Sequence, residues 1–312
     1  MPTAPSLPQE PLSGPGARGV PARGGSGRVT VAIITRNRRQ SVLRTLDRLA
    51  ALPERPAVIV VDNGSHDATV AAVRDHPVGA RVLATGRNMG ALGRNLAVRC
   101  ATTPYVAFSD DDSWWAPGAL ETAADLFDTY PRLGLLAART LVGPGGVEDP
   151  LNSVLANSPL ALAADLPGRP VLGFLACAAV VRRGAFLEAG GYHRVLFFGG
   201  EETLLAYDLA ARGWGVTHVP TVTAHHHPAR GGRPGRSAVQ RRNAVLTAWL
   251  RRPMAVALRH TAGLAAAAVR GERGAGAALC GALARLPAAL EDREPLPADI
   301  EHAARLLDRP DP

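Results

Sequence analysis

The chain has 312 residues, 46% of them hydrophobic, which suffices for one large or two small domains with a sizeable core and excludes a disordered polymer. Its formal net charge of +8 rests on arginine alone, because lysine is absent, so the basicity reads as compositional bias and is weak ground for a nucleic-acid partner. The three cysteines, Cys100, Cys177 and Cys280, are too far apart for a metal pattern and suit buried free thiols in a reducing, cytoplasmic compartment. The N-terminus lacks a signal-type apolar run, and no apolar stretch reaches the roughly 18 residues of a membrane span.

Residues 1–27 hold almost no large apolar side chain and predict a disordered tail. Val29–Thr35 reads as a strand buried on both faces. Residues 36–39 form a turn, and Val42, Leu43, Leu46 and Leu49 recur at helical spacing to about Leu52. Ala57–Asp62 is a second buried strand, followed by a helix over 65–75, a strand over Arg81–Ala84 and a helix over 91–100. A fourth strand ends in Asp110-Asp111-Asp112, before Trp114 and Trp115. Helix 119–130 and strand 133–141 come next, then a long loop or lid over 143–170 and a strand over 174–181. Gly199-Gly200 opens a helix over 201–212, and a last strand over 216–223 delivers His225-His226-His227. Alanine-rich helices over 238–250, 253–269 and 274–286 and a final helix over 298–307 complete the chain. Alternating strands and helices predict an α/β fold with a mostly parallel sheet. The expected divisions are 1–27, 28–228 and a basic helical extension over 229–312, the last containing most of an acid-free stretch from Leu209 to Gly271.

The chemistry concentrates at strand ends. Three adjacent aspartates are poor strand formers, so the triplet sits where the fourth strand stops, at the edge where open α/β sheets bind ligands. Close carboxylates suit a hard divalent cation that shares its oxygen ligands with substrate phosphates. Asp62 ends a parallel strand and faces the same crevice. No GxGxxG follows the first strand, so this is not the usual dinucleotide site.

Five segments, in order over residues 28–228, carry a resemblance to the family 2 glycosyltransferases of GT-A (Rossmann-like) fold. They are Val31-Ala32-Ile33-Ile34-Thr35-Arg36-Asn37-Arg38; Val60-Val61-Asp62-Asn63-Gly64-Ser65; Asn88-Met89-Gly90 with Arg94-Asn95; Phe108-Ser109-Asp110-Asp111-Asp112; and Gly200-Glu201-Glu202 with Asp208-Leu209 and Arg212-Gly213. The resemblance implies inverting transfer of a sugar from a nucleotide diphosphate sugar (UDP-, dTDP- or GDP-linked) to an acceptor hydroxyl on a glycan, a lipid-linked molecule or a small molecule. By position, Thr35 and Asp62 would hold the nucleobase side, Arg94 would reach a phosphate, and Asp110 and Asp111 would contact the nucleotide. Asp112 would ligate Mn²⁺ or Mg²⁺, with His225 as a further ligand and His226 facing the other way along the strand. Glu202 occupies the general-base position, one methylene longer than the family's usual Asp, and Glu201 is the alternative. Asp208 could pair with Arg212 four residues on. A nucleotidyltransferase and a catalytically inactive nucleotide-binding module are the competing readings, while an aromatic content of 4% leaves few platforms for nucleic acid. Leu246, Trp249 and Leu250 beside Arg251-Arg252, followed by Met254, Val256 and Leu258, suggest peripheral attachment to an anionic membrane surface.

Overall fold

The computed structural model describes residues 27–228 and 235–308. The expected tail over 1–27 falls almost wholly outside the described residues, as does most of the loop after the histidines.

In chain order the elements begin β1 (Val29–Thr35), α1 (Arg39–Ala50), β2 (Ala57–Asp62), α2 (Thr69–Arg74), β3 (Arg81–Ala84), α3 (Leu92–Cys100) and β4 (Tyr105–Asp110). They continue β5 (Ser113–Trp115), α4 (Ala119–Thr129), β6 (Leu133–Val142), β7 (Val147–Glu148), α5 (Pro150–Ala156) and β8 (Arg169–Pro170). A 3₁₀ turn (Ala176–Ala178) leads into β9 (Ala179–Arg182), α6 (Arg183–Glu188), α7 (Glu201–Ala211) and β10 (Gly215–His226). The C-terminal helices are α8 (Arg236–Arg251), α9 (Met254–Val269), α10 (Ala275–Leu283), α11 (Leu286–Glu291) and α12 (Ala298–Leu307).

One sheet runs β3-β2-β1-β4-β9-β6-β10-β5, with β7 and β8 paired at its margins. β1, β2, β3, β4, β6 and β10 point one way, while β9, β5, β7 and β8 run against their neighbours. The alternation of β1 explains how the sheet is covered. Val31 and Ile33 enter a core shared with Leu46 and Leu49 of α1 and Phe127 of α4. Ala32 and Ile34 enter the opposite core with Val98 of α3, Phe186 of α6 and Leu205 and Leu209 of α7.

Several expectations are corrected. Helix α2 begins only at Thr69, because Asp67 accepts from the Thr69 amide and holds residues 65–68 in a turn. The segment 143–170 is not a bare lid. It contains α5, which starts at Pro150 with Asp149 as N-cap, and buried Asn152 exchanges hydrogen bonds with the Thr140 backbone at 2.8 and 2.9 Å, pinning it to β6. The strand expected over 174–181 starts only at Ala179, and the expected helix over 274–286 divides into α10 and α11.

The C-terminal helices pack on the sheet domain. Val195, Leu196 and Leu204 join Leu246, Leu250, Leu264 and Ala278 in one core. Asp208 is not paired through its side chain with Arg212, whose guanidinium reaches only its backbone carbonyl at 3.1 Å. Its carboxylate takes Arg251 of α8 at 2.5 Å, both side chains being buried. Arg252 similarly pairs with Glu301 at 2.6 Å and Asp308 at 2.7 Å, fastening α12. Leu246, Trp249 and Leu250, expected at a membrane surface, are therefore inside; Val256 is also buried, while Met254 and Leu258 are exposed. No helix among the described residues is long and apolar enough to cross a membrane.

Candidate active site

The site begins where three neighbouring parallel strands end together. The register sets Thr35 of β1 beside Asp62 of β2, and Ile34 beside Asp110 of β4. A cavity of about 400 Å³ opens at this edge, lined by Thr35, Arg38, Asn63, Asn88, the triplet Asp110 to Asp112, and Phe197 with Phe198. The apolar strands end abruptly in polar side chains, so a hydrophobic sheet meets a charged pocket in one turn.

The triplet is held at its backbone and neutralised at its side chains. Ser113 Oγ accepts from the Asp110 amide at 2.7 Å, and Thr45 Oγ1 donates to the Asp111 carbonyl at 2.9 Å. Arg38 spans two of the carboxylates, with Nε 2.8 Å from Asp111 and Nη2 2.9 Å from Asp112. Thr35 Oγ1 donates to Asp111 at 3.0 Å. Burial pushes the Asp111 carboxyl up to about 7, Arg38 opposes that rise, and Asp112 and Asp110 add to it. Arg38 stands in the first of the segments that carry the family resemblance, and its pairing across more than seventy residues leaves no local sequence signal.

Asp62 is buried at this edge but outside the cavity lining. Its carboxylate accepts from both the amide (2.9 Å) and the hydroxyl of Ser65, so it shapes the turn after β2. Asn63 beside it does line the cavity, donating to the Gly90 carbonyl at 3.0 Å and accepting from the Met89 amide at 3.3 Å. Gly90 is obligatory here: at φ 59° a Cβ would stand 2.3 Å from the Phe197 carbonyl.

Arg94 is neither on a solvated helix face nor in the cavity. It is 1% exposed, donates to Asp110, lies 3.8 Å from Glu201 and stacks over Tyr192 at 5.6 Å. Burial works against its charge, but Asp110, Tyr192 and Glu201 outweigh that and raise its basicity. Arg94 thus braces the triplet against the start of α7. Glu201 is buried and its carboxyl rises to about 8, through burial first, then Glu202, against the pull of Arg94. Glu202 is half-buried, and burial raises its carboxyl too, opposed by backbone amides and Arg94. Two raised carboxyls flanked by one buried cation match the needs of proton abstraction near neutral pH.

The histidines divide as strand alternation requires, but the member nearest the triplet is not the expected one. β10 pairs His225 with Trp114 of β5, and the His225 and His227 rings lie 5.9 and 4.5 Å from the Trp114 ring. His226 points the other way, its Nε2 3.5 Å from Asp112 Oδ1. Burial lowers the His226 basicity, and the bond to Asp112 more than restores it. Trp115 is fully buried in the core, and Trp114 is a partly exposed wall beneath Arg48.

Comparison with known proteins agrees with this arrangement. Residues 30–190 match the family described as glycosyl transferase family 2. An N-acetylglucosaminyl-diphospho-decaprenol L-rhamnosyltransferase of Mycobacterium tuberculosis is 30% identical over 220 residues, covering 60% of this chain and 71% of that protein. Among solved structures, a mannosyltransferase from Pyrobaculum calidifontis in complex with GDP-Man and Mn²⁺ superposes with a TM-score of 0.57 at 24% identity, over 90% of this chain and 78% of that one. GalNAc-T7 with UDP, GalNAc and Mn²⁺ gives a TM-score of 0.57 at 15% identity, over 73% of this chain; the match spans about half of that protein, 48%. These structural likenesses establish the GT-A fold.

Proposed function

The chain belongs to glycosyl transferase family 2 and is a glycosyltransferase, and from that premise we propose that it transfers a sugar from a nucleotide diphosphate sugar to an acceptor hydroxyl in one inverting displacement. The observation that carries this reading is the joining of two acidic groups across the cavity edge. The triplet Asp110 to Asp112 ends β4, and buried Arg94 ties it to Glu201-Glu202 at the start of α7.

The donor nucleotide is assigned to the cavity wall formed by Thr35, Asn63, Asn88 and Asp110, with Asp62 holding the turn behind it. A divalent cation fits the donor set: Asp110 and Asp112 offer carboxylate oxygens, His226 stands at Asp112, and the Arg38 guanidinium already occupies the position of a neutralising charge. Among the described residues no three acidic, histidine or cysteine side chains are gathered as a complete metal shell, so diphosphate oxygens would complete the coordination. Bound there, Mn²⁺ or Mg²⁺ supplies Lewis-acid neutralisation of the departing diphosphate. Two structural neighbours are complexes containing Mn²⁺ together with UDP or GDP-Man, which supports the assignment.

Glu202 is assigned as the base because it is the more accessible of the two glutamates. It takes the acceptor hydroxyl proton while the oxygen bonds to the anomeric carbon and the carbon–phosphate-oxygen bond breaks, its electron pair leaving with the nucleoside diphosphate. Glu201, its carboxyl raised to about 8, holds its proton at neutral pH. The rhamnosyltransferase relative is named for a lipid-linked diphosphate acceptor, and we assign the same acceptor class here. A transfer or donor-hydrolysis assay tests the base: Glu202→Gln is expected to lower kcat by on the order of 10²-fold with nucleotide affinity intact. A larger loss in Glu201→Gln would move the base by one residue. Release of pyrophosphate instead of a nucleoside diphosphate would favour a nucleotidyltransferase.

A further inference from the structure

The loop 196–200 supplies the cavity wall residues Phe197 and Phe198 and runs directly into Glu201. Its backbone is irregular, with Phe197, Gly199 and Gly200 at φ 67°, 86° and 85°. Apart from one internal bond, Phe198 N–H to Leu196 at 2.9 Å, the carbonyls of residues 196–199 are held from outside. The Ala91 amide donates to Phe197 at 2.7 Å. The others converge on one side chain: Asn243 Nδ2 lies 3.1 Å from the Leu196 carbonyl, 3.0 Å from Phe198 and 2.6 Å from Gly199. Arg242 fixes the orientation of that amide by donating Nε to Asn243 Oδ1 at 2.9 Å, and adds its own bond to Leu196 at 2.9 Å.

Asn243 is 0% exposed. A buried amide is costly unless its donors are used, and an apolar side chain would fill the same space without that cost. Here all of its donor capacity points at one loop. The helix presses close, since a Cβ on Gly199 would meet Val239 of α8 at 3.3 Å. Helix α8 lies beyond residues 30–190, in the C-terminal extension.

We propose that Asn243 is a positioning residue: through the carbonyls of Leu196, Phe198 and Gly199 it sets where the Phe197–Phe198 wall and the Glu201-Glu202 pair stand. The C-terminal helices then complete the active site. The proposal rests on Glu202 as the base.

The test compares Asn243→Ala, Asn243→Ser (which keeps one donor) and the control Arg241→Ala, an exposed position on the same helix paired with Glu272. Turnover is read as nucleoside diphosphate release from a nucleotide sugar. Affinity is read with whichever of UDP, GDP or dTDP binds the wild type in Mn²⁺. Hydrogen exchange is read on peptides spanning 195–204. The expected result is a kcat loss of roughly ten-fold or more for Asn243→Ala, less for Asn243→Ser and none for Arg241→Ala. Affinity should change by less than about three-fold, with faster exchange confined to 195–204. Should Asn243→Ala fail to fold, Asn243→Ser decides. Unchanged turnover and exchange in a folded Asn243 variant overturn the proposal while Glu202 remains the base. No nucleotide binding or turnover in the wild type overturns the reading beneath it, and the exchange data then decide the loop contact alone.

Discussion

Replacing Arg94 with Met separates a structural brace from a phosphate-binding arginine. The substitution keeps much of the side-chain volume and deletes the cation that Asp110 and Glu201 share. Breaking a buried pair by removing one partner costs about 3–5 kcal/mol when both groups are fully buried. Here the cation is 1% exposed but the Asp110 side chain is 30% exposed, so solvent screens part of the loss. Glu201 also avoids a bare buried charge by holding its proton. The expected cost is therefore about 2–3 kcal/mol. Urea unfolding near pH 7.5 reads this as a midpoint lowered by roughly 1 M for a slope of about 2–3 kcal/mol/M. Arg94→Lys should fall in between, because a point charge cannot reproduce the guanidinium fork. A Met variant within about 0.5 kcal/mol of wild type, but with weakened nucleotide affinity, would refute the brace and restore the phosphate role.

Glu201 gives a pH signature. A carboxyl raised from 4.5 to about 8 binds its proton more tightly folded than unfolded, so wild-type stability falls as pH rises through that window and levels off above it. Glu201→Gln should remove up to about 1.4 kcal/mol per pH unit of that slope; parallel stability curves from pH 5 to 8 would contradict it. Arg38→Met removes the guanidinium that Asp111 and Asp112 share, so Mn²⁺ alone should raise the melting temperature of the variant more than that of wild type. Equal shifts would mean that Arg38 and the ion do not share a place.

The sheet was legible because its signals are local. β1 and β2 are continuous apolar runs, and three aspartates cannot extend β4. The approach to Glu201 was also visible, since Gly199-Gly200 must break before a helix. What escaped was long-range. Arg38 and Arg94 find their carboxylates only after folding, and no spacing rule distinguishes a buried cation from a solvated one. That His226 faces Asp112 while His225 lies against Trp114 follows from the pairing of β10 with β5, which the sequence of neither strand fixes. The helix inside 143–170 is a different kind of miss: Asp149-Pro150 is an N-cap followed by a first-turn proline, a signal outweighed by the surrounding glycines and prolines. Asn243 reads in sequence as one of several polar residues along α8, and its three carbonyl partners lie more than forty residues away.

The most direct test of the central claim is a melting-temperature screen of the purified chain against UDP, GDP, dTDP and CDP, each with and without Mn²⁺. Ligand at 100 times its Kd stabilises the folded state by about 2.7 kcal/mol, well within reach of the assay. The expected result is a rise with one nucleoside diphosphate that grows with Mn²⁺ and loses that growth in Asp112→Ala. No rise with any of the four at saturating concentration would contradict a nucleotide-sugar site at the end of β4.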